Sequence, residues 1–399
     1  MSPLRVVLVT RCFWPVVGGA EMLIANLAAA MRTLGACPQI VTAQWRREWP
    51  TALTFGEIPV HRIPQSRRRG WGTLQYMRGL GRWLRDHRGA YDAICVSSLR
   101  HSAYVVARRA RREAIPVLLR AESSGEQGDC RWQETARLGR RIRSHCQRAM
   151  VLATDEVGRQ ELLRSGYCER RVCVIPNGVP VAHSSSASCS AETRRAARLS
   201  LSEVNRDLAA LNDAPVAVFI GRLTRSQGVF DLARAWQRVV SARSDARLWL
   251  IGDGPERGPL FQLVKDLDLQ GRVLLPGEFD DYEDVLAAAD FYVHPTHEQG
   301  VPMGMLRAMA AGLPVIASDV AGSGDLLVHG RHGWLTAPRD IGALSSAVLR
   351  MLNEPGRRAM GEAARQRVRD CRSIERCAES HLSIMERMLV APASREASR

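Results

Sequence analysis

The stretch from Asp290 to Asp325 constrains the rest of the chain most tightly. Its apolar run Phe291 to Val293 breaks at His294-Pro295, and Met303, Leu306 and Ala310 then recur at helical spacing until Gly312 stops the helix and Val315-Ile316 begin a second apolar run. Strand, polar loop, helix and buried strand in that order make one β-loop-α-β unit. Ligands of such units sit at the carboxyl ends of the strands, so His294 to Pro302 and Ser318 to Asp325 are expected to line one crevice.

Apolar runs of the same kind recur along the chain. Leu4 to Thr10, Gln39 to Thr42, Ala93 to Ser97, Val117 to Arg120, Met150 to Ala153 and Val172 to Ile175 alternate with helical patterns, and V-A-V-F-I from Val216, R-L-W-L-I from Arg247 and V-L-L-P-G from Val273 resume the alternation. This order implies doubly wound α/β sheets. With 399 residues, 46% of them hydrophobic, the chain can build two domains of about 150–200 residues, each with its own core. Residues 1–182 are read as the first domain, 183–213 as a linker that opens S-S-S-A-S, 214–372 as the second domain, and 373–399 as a closing helix and tail.

No apolar run approaches the roughly 20 residues needed to span a bilayer, and the start lacks the long apolar segment of a signal peptide, so a cytoplasmic protein is expected. The ten cysteines are scattered without C-x-x-C or ligand-spaced Cys/His clusters, which argues against structural metal or a disulfide framework. The net charge of +15 is carried almost wholly by arginine, Lys265 being the only lysine. Its placement is uneven: Arg67 to Arg88, interleaved with Trp71, Tyr76, Trp83 and Leu84, is strongly basic, as are Ser102 to Glu113 and Arg137 to Arg148. Such segments suit either an anionic membrane surface or a solvated face. No nucleic-acid-binding motif accompanies them, and no nucleic-acid partner is expected.

Glycine loops follow several strands. Gly18 and Gly19 precede a helical pattern, where free backbone N–H groups favour an anion; Gly221-Arg222 ends one strand of the second half, and Gly252-Asp253-Gly254-Pro255 ends the next. With the 290–325 stretch, these motifs resemble the family 4 glycosyltransferases, retaining enzymes of the GT-B architecture. That family's pattern E-G-x-x-x-x-x-x-E-A-M-A-x-G-x-P-V-I-A-S is matched at Gly300, Ala308, Met309, Ala310, Gly312 and Pro314 to Ser318. P-x-x-G-G-A-E from Pro15, G-R-L from Gly221 and I-P-N-G-V from Ile175 resemble further family motifs in the expected order, Pro180 replacing the aspartate that usually follows the last.

The resemblance implies two Rossmann-like domains facing a central cleft, the first holding a glycan or lipid-linked acceptor and the second a nucleotide-diphospho-sugar. That donor is a co-substrate; no metal or other cofactor is implied. It further implies that Gly18 and Gly19 approach the donor phosphate or sugar, and that Arg222, with a lysine five positions on, holds the diphosphate. Gly252 and Gly254 would lie near the base, and Glu298, Gln299, Gly300 and Val301 near the sugar. Arg307 would stand at the ribose, and Asp325 where the family often has glutamate. His101 is a displaced candidate for a histidine the family carries after the strand Ala93 to Ser97. Arg222, Gln299 and His101 would be the catalytic group.

Three positions depart from the pattern. Gln227 stands where the lysine belongs, with Arg225 two residues earlier on the same loop; Gln299 and Arg307 replace the two glutamates. A departing diphosphate needs preorganised cations, and Gln227 offers a neutral amide instead. Arg307 has five donors and no acceptor, which inverts the pairing with ribose hydroxyls. Each lost charged hydrogen bond is worth roughly 1.5–3 kcal/mol. Two readings stay open: a transferase with a modified donor site, or a silent relative that binds a glycan, nucleotide or partner.

Overall fold

The computed structural model describes residues 3–16, 18–66, 70–125, 128–181, 191–205, 208, 214–279 and 281–390. The chain forms two compact units, Met1–Gly178 together with Ile374–Arg399, and Val179–Ser373.

The first unit is built on eight strands: β1 (Arg5–Val9), β2 (Cys37–Gln44), β3 (Ala52–Phe55), β4 (Ile58–Pro64), β5 (Ala93–Ser97), β6 (Val117–Arg120), β7 (Met150–Ala153) and β8 (Val172–Val174). Their order is β3-β4-β2-β1-β5-β6-β7-β8, parallel throughout except for the edge hairpin β3–β4. Strand β1 reads V-V-L-V because both faces of the sheet are covered. Val7 and Val9 pack with Tyr76, Leu80 and Leu84 of the helix Trp71–Asp86 on one face. Val6 and Leu8 pack on the other face, with Leu23, Leu27 and Met31 of the helix Gly19–Thr33 and with Cys377, Ala378, Leu382 and Met385 of the closing helix Ile374–Val390. The hairpin was not expected from the sequence. Its turn is Gly56-Glu57, both with positive φ (50° and 65°), the two-residue form whose twist suits paired strands.

The second unit carries β9 (Val216–Ile220), β10 (Arg247–Ile251), β11 (Val273–Gly277), β12 (Phe291–His294), β13 (Val315–Ser318) and β14 (Gly333–Thr336) in the order β11-β10-β9-β12-β13-β14, all parallel. The connections reverse direction between β9 and β12, which opens a crevice at the carboxyl ends of those two strands. The helix Val229–Ala242 shows why the sheet is covered: Val229, Leu232, Ala233, Trp236 and Val239 form one buried stripe. The chain enters and leaves this unit side by side, Val179 N–H donating to Arg372 O at 2.9 Å.

Of the segment expected to be a linker, residues 183–190, 206, 207 and 209–213 lie outside the described residues, while Ala191–Val204 is a helix of the second unit. Its Arg198, 6% exposed, donates to the carboxylate of Asp290 and to Ala288 O, both at 3.0 Å. Asp290 also accepts from Val216 N–H at 2.8 Å, so one buried carboxylate fixes both this helix and the start of β9. Among the described residues no helix is long and apolar enough to cross a membrane, and no cluster of side chains could hold a metal ion.

Two fully buried histidines make stability pH-dependent. Tyr292 Oη donates to Ile220 O (3.1 Å) and therefore accepts from His294 Nδ1–H (3.0 Å), leaving His294 Nε2 without a partner. Burial pushes His294 down to about 3 and His381 to about 4. Both stay neutral in the folded chain below pH 6.5, where the unfolded chain takes up protons. The contribution of these two histidines is therefore constant above about pH 6.5 and is lost as pH drops, by about 1.4 kcal/mol per pH unit for each. Thermal melts at pH 7.5, 6.0 and 5.0 should show this loss, with a shallower slope for His381→Gln than for the parent.

Candidate functional site

Four loops meet at the carboxyl ends of the second sheet, and backbone contacts hold them together. Leu223 N–H donates to Asp253 O (2.9 Å) and Glu256 N–H to Leu223 O (3.2 Å), joining the loops after β9 and β10. His297 N–H donates to Ser226 O (2.7 Å) across the direction reversal, and Gly300 N–H to Ala321 O (2.7 Å) joins the loops after β12 and β13. Glycine is required at each contact. A Cβ on Gly228 (φ +72°) would lie 1.8 Å from Pro295 O, on Gly252 (φ +136°) 2.0 Å from Gly221 O, on Gly254 2.4 Å from Leu223 O, and on Gly322 (φ +98°) 2.5 Å from Gly300. The Gly252-x-Gly254 motif thus has a packing reason independent of any ligand. Gly304, inside the helix Met303–Ala310, serves likewise: its Cβ would lie 2.4 Å from Ile220 O, so this helix points its amino end at the end of β9.

The charged side chains on these loops are disposed unequally. Arg222 is exposed, and its guanidinium makes no hydrogen bond or ion pair with a described residue. Arg225 lies over the ring of Phe230 (4.5 Å to the centroid) with its Nε 3.3 Å from Glu256, which holds it toward the β10 loop. Gln227 donates from Nε2 to Glu298 Oε2 at 2.8 Å, bridging the β9 and β12 loops. Gln299 is exposed beside that pair, and Gly300 and Val301 are half-buried at the approach to the helix. Behind them His297 Nε2 meets Asp231 Oδ2 at 2.8 Å, fixing the loop from below.

Arg307 is engaged with an aromatic ring of its own unit. Its guanidinium lies over Tyr282 (5.3 Å), Nη2 is buried without a partner, and burial lowers its pKa from the ordinary guanidinium value. Asp325 uses a carboxylate oxygen to accept from Gly322 N–H (3.1 Å), so it holds the β13 loop. The structure therefore brings Arg222, Arg225, Gln227, Glu298, Gln299, Gly300 and Val301 together, with Arg307 and Asp325 at the flanks engaged by the protein itself.

Gly18, Gly19 and His101 belong to the first unit. Gly18 is the extended residue before the helix Gly19–Thr33, and a Cβ on it would lie 2.5 Å from Glu21 Oε2. Glu21 thus folds its carboxyl back over the helix N-terminus, and burial raises its pKa, with Glu122 nearby adding to the effect. An acid already occupies the position where a free anion was expected. His101 opens the helix His101–Glu113, packs edge-on to Trp132 (5.0 Å), and has its pKa lowered by burial and then by Arg11 and Arg100. Sequence reading passed over Arg120, which is fully buried at the end of β6. It pairs with Glu122 (3.1 Å) and donates to Asn177 Oδ1, and Glu122 also accepts from Ser97 Oγ (2.7 Å). Its only sequence signal was an arginine closing an apolar strand.

Two Rossmann-like units of this kind are the GT-B architecture. Solved structures agree: sucrose-phosphate synthase from Thermosynechococcus elongatus superposes with a TM-score of 0.76 at 19% identity over 97% of this chain and 100% of that one. Anabaena HepE in complex with UDP-glucose gives 0.70 at 17% identity over 96% and 98%. A family model described as "Glycosyl transferase 4-like domain" matches residues 18–178, and one described as "Glycosyl transferases group 1" matches 214–354. The chain belongs to this glycosyl transferase family. Similar sequences include N-acetyl-alpha-D-glucosaminyl L-malate synthase of Bacillus anthracis, 30% identical over 42% of this chain and 44% of that one. The lipopolysaccharide core biosynthesis glycosyltransferase LpsD of Rhizobium meliloti is 30% identical over 45% and 52%. The chain spans about half or less of the length of the curated relatives it matches.

The loop packing gives a direct test. Gly271 also has positive φ (+69°), but nothing lies within 4 Å of its Cβ position. Gly271→Ala should cost about 1 kcal/mol from backbone strain alone. Gly228→Ala, which adds a backbone clash, should cost about 3 kcal/mol or more, read from urea melts of the full chain.

Proposed function

We propose that the chain transfers a sugar from a nucleotide-diphospho-sugar to a glycan or lipid-linked acceptor with retention of anomeric configuration, in cell-surface polysaccharide or glycolipid synthesis. The observation that carries this reading is Arg222: a cation without a partner among the described residues, on a loop fixed by glycine contacts, at the reversal point of a parallel sheet. A diphosphate placed there meets a preorganised positive charge and the amino end of the helix Met303–Ala310, both of which stabilise charge as it develops on the leaving group. Such a site works without a metal or other cofactor.

The substitutions set the roles of the neighbours. Gln227 and Glu298 act as a pair, whose free carboxylate oxygen and exposed neighbour Gln299 accept from sugar hydroxyls. Arg307 donates to ribose oxygens once it leaves Tyr282, and its unpartnered Nη2 supports this. The first unit, with His101, Glu21 and Glu122 at its loops, takes the acceptor. We place the protein in the cytoplasm, with the basic helices His101–Glu113 and Gly139–Cys146 available to an anionic inner membrane face and no role for nucleic acid. The relatives' names support the substrate class: one acts in lipopolysaccharide core synthesis, another is a putative teichuronic acid biosynthesis glycosyltransferase of Bacillus subtilis.

A second reading is favoured by one observation. Arg225, Arg307 and Asp325 are each engaged within the protein, which is what a silent binding subunit would show. Calorimetric titration with UDP, GDP and ADP and their sugar conjugates tests the donor site, and release of free nucleotide from the conjugate that binds, expected only of the transferase, separates the two. The transferase reading expects one conjugate to bind more tightly than its free nucleotide, and Arg222→Ala to weaken it about 10- to 100-fold, as loss of a charged hydrogen bond does. Absence of binding at millimolar concentration, or an Arg222→Ala variant that binds like the parent, sinks it.

A further inference from the structure

We infer that a groove on the first unit, beside the helix Trp71–Asp86, binds an acidic saccharide, its anionic groups held by Arg47, Arg78 and Arg82 and a sugar ring stacked on Trp71. As the acceptor site this rests on the proposed transferase activity; as a binding site it stands alone.

The helix divides its residues between two jobs. Tyr76, Leu80 and Leu84 face inward and are fully buried, while Trp71, Gln75, Arg78 and Arg82, at i, i+4, i+7 and i+11, lie on the opposite side. That outward row forms one wall of a groove of about 750 Å³, whose other wall is Arg47 and the end of β4 at Ile63, Pro64 and Ser66. Two glycines bring helix and strand close enough to shape it. A Cβ on Gly72 would lie 2.0 Å from Ser66 O, and one on Gly79 2.4 Å from Ile63 Cγ2.

Among the described residues no aspartate or glutamate lines this groove. Arg47, Arg78 and Arg82 are exposed and make no hydrogen bond or ion pair with a described residue. The chain's arginine-rich composition does not account for this, because a second groove on the same unit, of about 1070 Å³, has its arginines neutralised. There Arg5 pairs with Asp92 at 2.7 Å and Arg32 pairs with Glu57. Three guanidiniums with no partner among the described residues around one concavity create a positive potential that a polyanion satisfies, and planar guanidinium suits carboxylate or phosphate oxygens.

The remaining lining identifies the rest of the ligand. Trp71 is 61% exposed at the lip, a flat apolar face beside polar groups, and Gln75 between it and Arg78 adds amide donors and an acceptor. That combination fits a ring with one apolar face and many hydroxyls. A bilayer surface fits less well, because the helix turns its main apolar stripe into the core and leaves a recess where a membrane-seeking helix presents a ridge.

The test is titration of the full chain with tetragalacturonate, with maltotetraose as the neutral control, and with phosphatidylglycerol vesicles. Tetragalacturonate should bind, weaken several-fold between 50 and 300 mM salt, and lose about tenfold or more in Arg78→Gln/Arg82→Gln, with Arg78→Lys/Arg82→Lys retaining part of the affinity. Equal binding of maltotetraose, an unaffected Gln variant, or binding to vesicles alone overturns the inference. Nucleotide-sugar titration of the same variant should match the parent. Donor binding without saccharide binding defeats the groove alone, and saccharide binding without donor binding defeats the transferase reading alone.

Discussion

The second unit depends on backbone packed directly against backbone where its loops leave the sheet. Parallel strands all deliver their connections to one end, and four of those connections must share the space above β9 and β12. They fit only because Gly228, Gly252, Gly254 and Gly322 lack a Cβ where the facing carbonyl stands 1.8 to 2.5 Å from its position. The result is a rim whose backbone is fixed by these contacts. The loop fixes the backbone of Arg222, whose exposed guanidinium has no hydrogen-bond or ion-pair partner among the described residues.

Charge placement on that rim differs from the family pattern at three positions, Gln227, Gln299 and Arg307. At the position of the pattern's lysine this chain has Gln227, hydrogen-bonded to Glu298, the residue one place before the expected acid. The neutral amide keeps the bridge between loops and gives up one cation. Arg307 replaces an acceptor by a donor and rests on Tyr282, where a planar guanidinium finds the face of an aromatic ring and pays part of its desolvation. The first unit shows the complementary case: Glu21 covers the helix end that an anion would otherwise take. On the proposed reading, negative charge on a donor is met chiefly by Arg222 and the amino end of the helix Met303–Ala310.

Both sheets were legible in the sequence because continuous apolar runs bounded by glycine have few other uses, and the loops after β9, β10 and β12 were legible from their glycines. What escaped was non-local or half-exposed. The β3–β4 hairpin has short, partly exposed strands and a Gly-Glu turn without the usual Asn-Gly signal. The helix Ala191–Val204 reads as connector because its reason for folding onto the second unit is Asp290, 92 positions from Arg198. Among site residues, the pairing of Gln227 with Glu298 spans 71 positions, and nothing local announces that Arg307 rests on Tyr282. Sequence placed these residues on their loops; which of them were already engaged was a property of the fold.

The measurement that tests the account most directly is amide hydrogen exchange of the full chain with and without a saturating nucleotide-sugar. A donor on Arg222 and the helix Met303–Ala310 should slow exchange at residues 222–228 and 296–304, leaving the amides of β14 unchanged. Protection absent from both loops while a ligand is demonstrably bound would contradict the placement of the donor at the reversal point of the second sheet.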